Sequence, residues 1–353
     1  VLIFDSHLDI ALNGVDWNRD MRMEVSAIRA QERLLNMTAP GRQTNTTSFP
    51  ELRRGEVGVG VATLLARQER LLDHPFGWTT YEACYAVAMS HAFYYRAMEK
   101  AGAMRLLRTR GDLARHVADW HAAPATCPFG YILSMECADA VLEPETIREF
   151  HALGLRAIGI THYGSNRYGG GTSCEVGLAT DAVPLLRHIE ELGIALDLTH
   201  LSDRAFAQVA DSFGGRVLAS HQNARRFCNW QRQFSDEQLR FVISRDGVVG
   251  AACDAIMLQP GWMTGISKPE VTLERVVDNI DHVCQLAGDA RHAGIGSDLD
   301  GGFGSDQCPA DLDTIADLQR IPELLAKRGY GRADIEAIMH GNWLRFFAEV
   351  LPE

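Results

Sequence analysis

Eight short apolar segments recur along the chain, and between most of them apolar residues fall at helical spacing. The strand-like segments cover residues 1–9, 57–65, 129–136, 155–161, 193–200, 216–220, 247–252 and 292–297. None has a helical period. Several are apolar on both faces, as in Val57-Gly58-Val59-Gly60-Val61, which suits strands covered on both sides. Helices are predicted over 21–36, 79–102, 143–153, 181–192, 269–287, 310–328 and 333–350, with Ser202 and Ser235 placed to cap two more. Residues 38–50 read as a long loop, and 163–174, with four glycines, as a mobile loop beside a site. Parallel neighbours need crossovers, so this alternation predicts an α/β fold: a (β/α)8 TIM barrel with additional C-terminal helices, one domain over 1–353.

A barrel predicts where chemistry belongs, at the C-terminal ends of its strands. The first segment ends in His7-Leu8-Asp9, and residues i and i+2 of a strand share a face, so this imidazole and carboxylate point the same way. The third segment ends in its only carboxylate, Glu136; the fourth closes on His162, the fifth on His200, the sixth on His221, and the eighth runs into Asp298. Buried carboxylates pair or ligate, and this vocabulary of His, Glu and Asp suits a Zn-like cation. A scatter of 13 histidines and 46 acidic residues would rarely line up this way. The remaining histidines fall elsewhere: His91, His116, His121, His151, His188, His282 and His340 in or beside helical patterns, His74 in a loop, and His292 at the start of its strand.

Composition narrows the partners. A formal net charge of -12 and no clustered Lys/Arg face exclude a binder of nucleic-acid backbones. The eight cysteines are scattered with no C-x-x-C pair, which suits reduced thiols in a cytoplasmic protein. No apolar run reaches bilayer length and no signal peptide is legible, so neither membrane nor secretory route is expected, and the two N-x-T tripeptides at Asn36 and Asn45 carry no meaning without one.

Taken in order on barrel strands, a His-x-Asp, a lone Glu, three His and a final Asp resemble the metal-dependent amidohydrolase superfamily, and within it the membrane (renal) dipeptidase family. The likeness covers nearly the whole chain. It rests on His7-Leu8-Asp9, Leu52-Arg53-Arg54-Gly55-Glu56-Val57-Gly58, Glu136, Thr161-His162, Ser220-His221-Gln222-Asn223-Ala224-Arg225, Gly296-Ser297-Asp298-Leu299-Asp300-Gly301 and Gly341-Asn342-Trp343-Leu344-Arg345. The resemblance implies a binuclear zinc dipeptidase that hydrolyses the peptide bond of dipeptides, those with a D-residue at the C-terminal position included. His7 and Asp9 would hold one Zn2+ and His200 and His221 the other, with Glu136 and a water or hydroxide bridging the two. Asp298 would take the water's proton and pass it to the departing amine, and His162 would stabilise the oxyanion. Arg232, eleven residues after His221, would grip the substrate's terminal carboxylate. The only lysines are Lys100, Lys268 and Lys327, none at a predicted strand end, so the carbamylated-lysine bridge of related hydrolases has no candidate and Glu136 takes that place. The family commonly dimerises, so a homodimer is expected.

Departures from the family pattern fall on substrate contacts. Leu12 stands where animal enzymes carry an aromatic residue, Cys137-Ala138 where Gly-Gly often follows the bridging Glu, and Gln233 where Asn is common. Two other readings stay open. One is a different amidohydrolase reaction on the same metals, on an N-acyl amino acid, lactone or phosphoester. The other is a metal-binding scaffold without turnover, against which Asp298 stands.

Overall fold

Each of the eight apolar segments contributes a strand: β1 Ile3–Leu8, β2 Val57–Leu65, β3 Phe129–Glu136, β4 Leu155–Gly159, β5 Ala195–Asp197, β6 Val217–Leu218, β7 Val249–Ala251 and β8 Ala293–Ile295. This is a computed structural model, and it describes residues 1–69, 77–267 and 269–353; His74 and Lys268 lie outside them. The strands pair in parallel in the order β7-β8-β1-β2-β3-β4-β5-β6. A single bridge between Ala219 and Val249 then closes the ring, with Gly250 donating its N–H to the Ala219 carbonyl at 2.8 Å. The result is a parallel eight-stranded barrel wrapped by helices. A further short strand, Met104–Leu106, pairs with the first half of β3, where β4 does not reach.

The barrel interior changes character from floor to mouth. Phe4, Val59, Val61, Ile132, Ala157, Ala195, Leu218 and Val248 form an apolar floor with Trp343, Phe346 and Phe347 of the last helix, Asn342–Val350. Phe4 stacks on Phe347 with ring centroids 5.6 Å apart, and the Trp343 indole donates to the Ile295 carbonyl at 3.0 Å. Only glycine fits at 294: a Cβ there would lie 2.3 Å from the Trp343 ring nitrogen. Above the floor, Ser6 Oγ donates across the barrel to the carbonyls of Ser220 (2.5 Å) and Ile295 (3.0 Å). Gly296 is required beside it, since a Cβ would meet the Ser220 carbonyl oxygen at 1.8 Å.

Strand β1 carries a bulge that matters for the mouth. Asp5 to Leu8 spans three steps against only two from Gly60 to Ala62 on β2. The extra residue lets neighbouring Ser6 and His7 both reach the interior, which strict alternation forbids.

The helices follow the predicted spacing with three differences. Phe49–Arg54 is a helix that starts in the last two residues of the region read as loop and runs past it, capped by Ser48, whose side chain accepts from Glu51 N–H, with Pro50 in the first turn. Arg110–Ala122 is a helix without bounds in the sequence reading, although His116 and His121 fall in or beside a helical pattern there; buried His116 has its Nε2 3.0 Å from the Gly58 carbonyl. The two C-terminal helices change winding along their length: 3-10 over Ile315–Arg320 before Ile321–Lys327, and a π turn over Ala337–Gly341 between Arg332–Glu336 and Asn342–Val350. Ser202 and Ser235 cap their helices as predicted. Among the described residues no helix is long and apolar enough to cross a membrane.

Candidate metal centre

Seven of the eight candidate residues converge at the barrel mouth, each on the segment leaving a strand. Glu136, at the end of β3, lies at the centre. Its Oε2 is 3.5 Å from His7 Nε2, while its Oε1 is 3.1 Å from His200 Nε2, 3.4 Å from His221 Nε2 and 3.7 Å from His162 Nε2. His7 Nε2 also lies 3.5 Å from Asp9 and 3.7 Å from Asp298. Three overlapping groups have ligand atoms close enough for a shared cation: His7, Asp9 and Glu136; His7, His221 and Asp298; Glu136, His162 and His200. The backbone is left-handed at Cys137, His200 and Asp298 (φ 69, 69 and 59°), so three strand ends turn sharply where the side chains must face inward.

Whether cations belong here is decided by how the imidazoles are held. His200 Nδ1 is 2.9 Å from the Thr172 hydroxyl and His221 Nδ1 is 2.8 Å from the Ser220 hydroxyl. With Nδ1 protonated and donating to these hydroxyls, both Nε2 atoms present lone pairs, and they lie only 3.2 Å apart. Two facing lone pairs repel unless something positive sits beside them. His7 Nε2 is buried and has no hydrogen-bond partner among the described residues. The carboxylates of Asp9, Glu136 and Asp298 lie in the same small volume. Nitrogen and carboxylate donors in this proportion fit divalent cations of the zinc type.

The electrostatics of His200 and His221 agree with that fit. Burial, reinforced for His200 by Arg232 and for His221 by His7, depresses both imidazoles well below their ordinary range, into the neutral ligating form. Burial also opposes charge on His7, but the Glu136 and Asp9 carboxylates outweigh it and raise that group. Asp298 is pushed well above the carboxylate range by burial first, with Glu136 and Asp9 adding to it against the pull of His7. Burial raises Glu136 as well.

Arg232 comes from the loop after β6 and is buried at the edge of the cluster. It donates from one terminal nitrogen to Gln222 Oε1 (2.7 Å) and from the other to the His221 carbonyl (3.0 Å). Three of its five N–H groups are thus left for other partners. Its charge is felt at Glu136, His200 and Asp254.

Several contributors were not legible in the sequence. The Thr63 hydroxyl, on β2, donates to Asp9 Oδ1, and Thr172 comes from the glycine-rich loop; both are set by tertiary approach rather than by any pattern. Asp300 is buried and accepts from the backbone N–H groups of Thr46 (2.7 Å) and Thr47 (2.8 Å). It thereby ties the long loop to the end of β8. Arg19, bound to Glu32 at 2.8 Å and to Asn13 at 2.6 Å, continues that network.

The sequence model of the membrane dipeptidase family, peptidase family M19, matches residues 1–351. An uncharacterised protein from the pqqA 5' region of Klebsiella pneumoniae is 28% identical over 216 residues, 59% of this chain and 77% of that protein. Dipeptidase tcpJ of Claviceps purpurea is 28% identical over 211 residues, 58% of this chain and 47% of that protein, so the match spans less than half of that relative. Among solved structures, a metallopeptidase from Rhodobacter sphaeroides liganded with a phosphinate mimic of the dipeptide L-Ala-D-Ala has the same fold. It aligns at a TM-score of 0.80 with 22% identity over 99% of both chains.

Proposed function

Because the chain belongs to the membrane dipeptidase family, peptidase family M19, we propose that it is a binuclear zinc dipeptidase that hydrolyses the peptide bond of dipeptides, including those with a D-residue at the C-terminal position. One observation carries the binuclear reading: the two oxygens of Glu136 face different partners, Oε2 toward His7 at 3.5 Å and Oε1 toward His200 at 3.1 Å and His221 at 3.4 Å. A carboxylate divided in this way suits a bridge. His7 and Asp9 would hold one cation, His200 and His221 the other. Bound there, a cation pair supplies Lewis-acid polarisation of the scissile carbonyl and acidifies a water to near neutrality.

The remaining work belongs to the chain. Asp298, beside His7, accepts a proton from the attacking water and delivers it to the departing amine, so peptide and water become a carboxylate and an amine. His162, at the mouth with its Nε2 3.7 Å from Glu136, donates to the oxyanion as the carbonyl becomes tetrahedral. Arg232 receives the substrate's C-terminal carboxylate through its remaining N–H groups, and its two bonds to Gln222 and the His221 carbonyl fix the angle of approach. The phosphinate dipeptide mimic in the Rhodobacter sphaeroides structure supports the inclusion of C-terminal D-residues.

The test is hydrolysis of L-Xaa-L-Xaa and L-Xaa-D-Xaa dipeptides by zinc-loaded protein beside Asp298→Asn, with metal content measured. We expect cleavage by the parent and a loss of about 10²–10⁴-fold in kcat for the variant. Zinc-loaded protein that leaves every dipeptide intact but opens an N-acyl amino acid, a lactone or a phosphoester would replace this reading with another amidohydrolase reaction.

A further inference from the structure

Two aromatic side chains stand at the mouth with no part in the chemistry above. Tyr163 follows His162, and its ring packs edge-on against His162 (centroids 5.0 Å apart) and His200 (5.2 Å). Trp230 lies two residues before Arg232 on the neighbouring loop, and its ring is inclined 33° to that of Tyr163 with centroids 6.4 Å apart. Tyr163 is 41% exposed. A large aromatic left open against catalytic imidazoles is a surface kept for something else to cover.

The same space has a charged end. The Tyr163 phenol lies in the field of Arg232, Asp254, Asp298 and Glu136, with Arg232 the strongest of these charges. Asp254 is buried after β7; its Oδ1 accepts from Ile256 N–H at 2.9 Å and from Gln307 Nε2 at 2.8 Å. These bonds fix its Oδ1 as an acceptor. An incoming carboxylate finds one cation here and several anions.

Resting on the dipeptidase reading, we propose that Tyr163 and Trp230 together form one aromatic wall of a slot for the side chain of the substrate's C-terminal residue, and that the enzyme selects dipeptides whose C-terminal residue is aromatic or bulky and apolar. The geometry follows from the anchors. With the terminal carboxylate on Arg232 and the scissile carbonyl between Glu136 and His162, the C-terminal residue spans the two loops that bear Tyr163 and Trp230. An aromatic ring there packs against them, a glycine leaves them wet, and a second carboxylate enters a mouth already lined by the Asp9, Glu136 and Asp298 carboxylates. Preference should therefore run Phe above Ala above Gly, with Asp last.

The experiment compares kcat/KM of the zinc-loaded enzyme for L-Ala-Gly, L-Ala-Ala, L-Ala-Phe and L-Ala-Asp, each chiral C-terminal residue in both configurations. We expect the better Phe isomer to exceed Gly by about tenfold. In Trp230→Ala that ratio should collapse toward one, mainly through KM, while Trp230→Phe keeps it and both variants hold the parent's metal content. A ratio near one in the parent, a ratio unmoved in Trp230→Ala, or a preference for Asp would overturn the slot while leaving dipeptide cleavage intact. If no dipeptide is cleaved, the functional reading fails instead. The slot is then judged by calorimetry with free phenylalanine and glycine: phenylalanine binding lost in Trp230→Ala upholds it, and no binding to the parent rejects it.

Discussion

Asp254 shows how much a single residue at the mouth can depend on its surroundings. Its Oδ1 has two neutral donors and, among the described residues, no cation in contact, so burial dominates and lifts its pKa from 3.8 to about 6. The raised value means that the folded state favours the protonated form. Between about pH 4 and pH 6 the native protein holds a proton that the unfolded chain has released, so this group makes stability fall as pH rises through that window. Above it the full cost persists, about 3 kcal/mol. Asp254→Asn keeps the acceptor oxygen and removes the charge. We expect it to be more stable than the parent by roughly 1–3 kcal/mol at pH 8, with the gain about halved near pH 5. Urea unfolding at the two pH values reads this directly, and coincident midpoints at pH 8 would rule out the buried-charge cost. Nothing in the sequence around Asp254 distinguishes it from a surface cap, because its neighbours Arg232 and Gln307 are distant in the chain. The strand-end residues were legible for the opposite reason. Each follows an apolar run, so position and chemistry are visible in one short window, as at Ile160-Thr161-His162.

Among the elements, the last helix bears most on the barrel, and its sequence signal was only partly readable. The apolar spacing over 333–350 predicts one helix, and the chain is helical throughout, but it widens into a π turn over Ala337–Gly341 before Asn342–Val350. That π turn leads directly into the helix that carries Trp343 to the floor. Period alone carries no information about such a turn. The bulge in β1 is equally hidden, since alternation puts Ser6 and His7 on opposite faces and only the pairing with β2 reveals otherwise. Trp343 is fully buried, shares its cluster with Phe4 and Phe347, and donates to the Ile295 carbonyl. Trp343→Ala should cost about 3–5 kcal/mol, from lost burial plus the cavity left beneath the strands. It should leave the metal content of the folded protein unchanged, because the ligands stand at the other end of the barrel. Chemical denaturation with metal analysis checks both. A loss below about 1 kcal/mol would mean that the helix covers the floor without filling it.

For the molecule as a whole, the centre and the fold support each other. Alternating strands and helices made the barrel legible, yet its closure was not: β6 has two residues and meets β7 through one bridge, a seam too short to announce itself in sequence. His221 leaves β6 just beyond that seam, and its ring lies 3.8 Å from that of His7 on β1. Ligands drawn from β1, β3, β5 and β6 would turn a cluster of mutually repelling groups into a clamp across the barrel. Cations that bind only the native state stabilise it by mass action, about 2.7 kcal/mol at a free concentration one hundred times Kd. For a chain of this size that corresponds to a rise in Tm on the order of 5 °C. Titrating metal-stripped protein with zinc while recording thermal unfolding should give that rise, with two ions bound per chain at saturation. His221→Ala should lose part of it and bind one ion fewer. The increment should also shrink as pH falls, because protons compete for His7, whose charged form burial opposes but the Glu136 and Asp9 carboxylates favour more strongly, while His200 and His221 stay neutral. A Tm indifferent to saturating zinc would show that the cluster closes without cations, and the facing nitrogens of His200 and His221 would then require a proton between them instead.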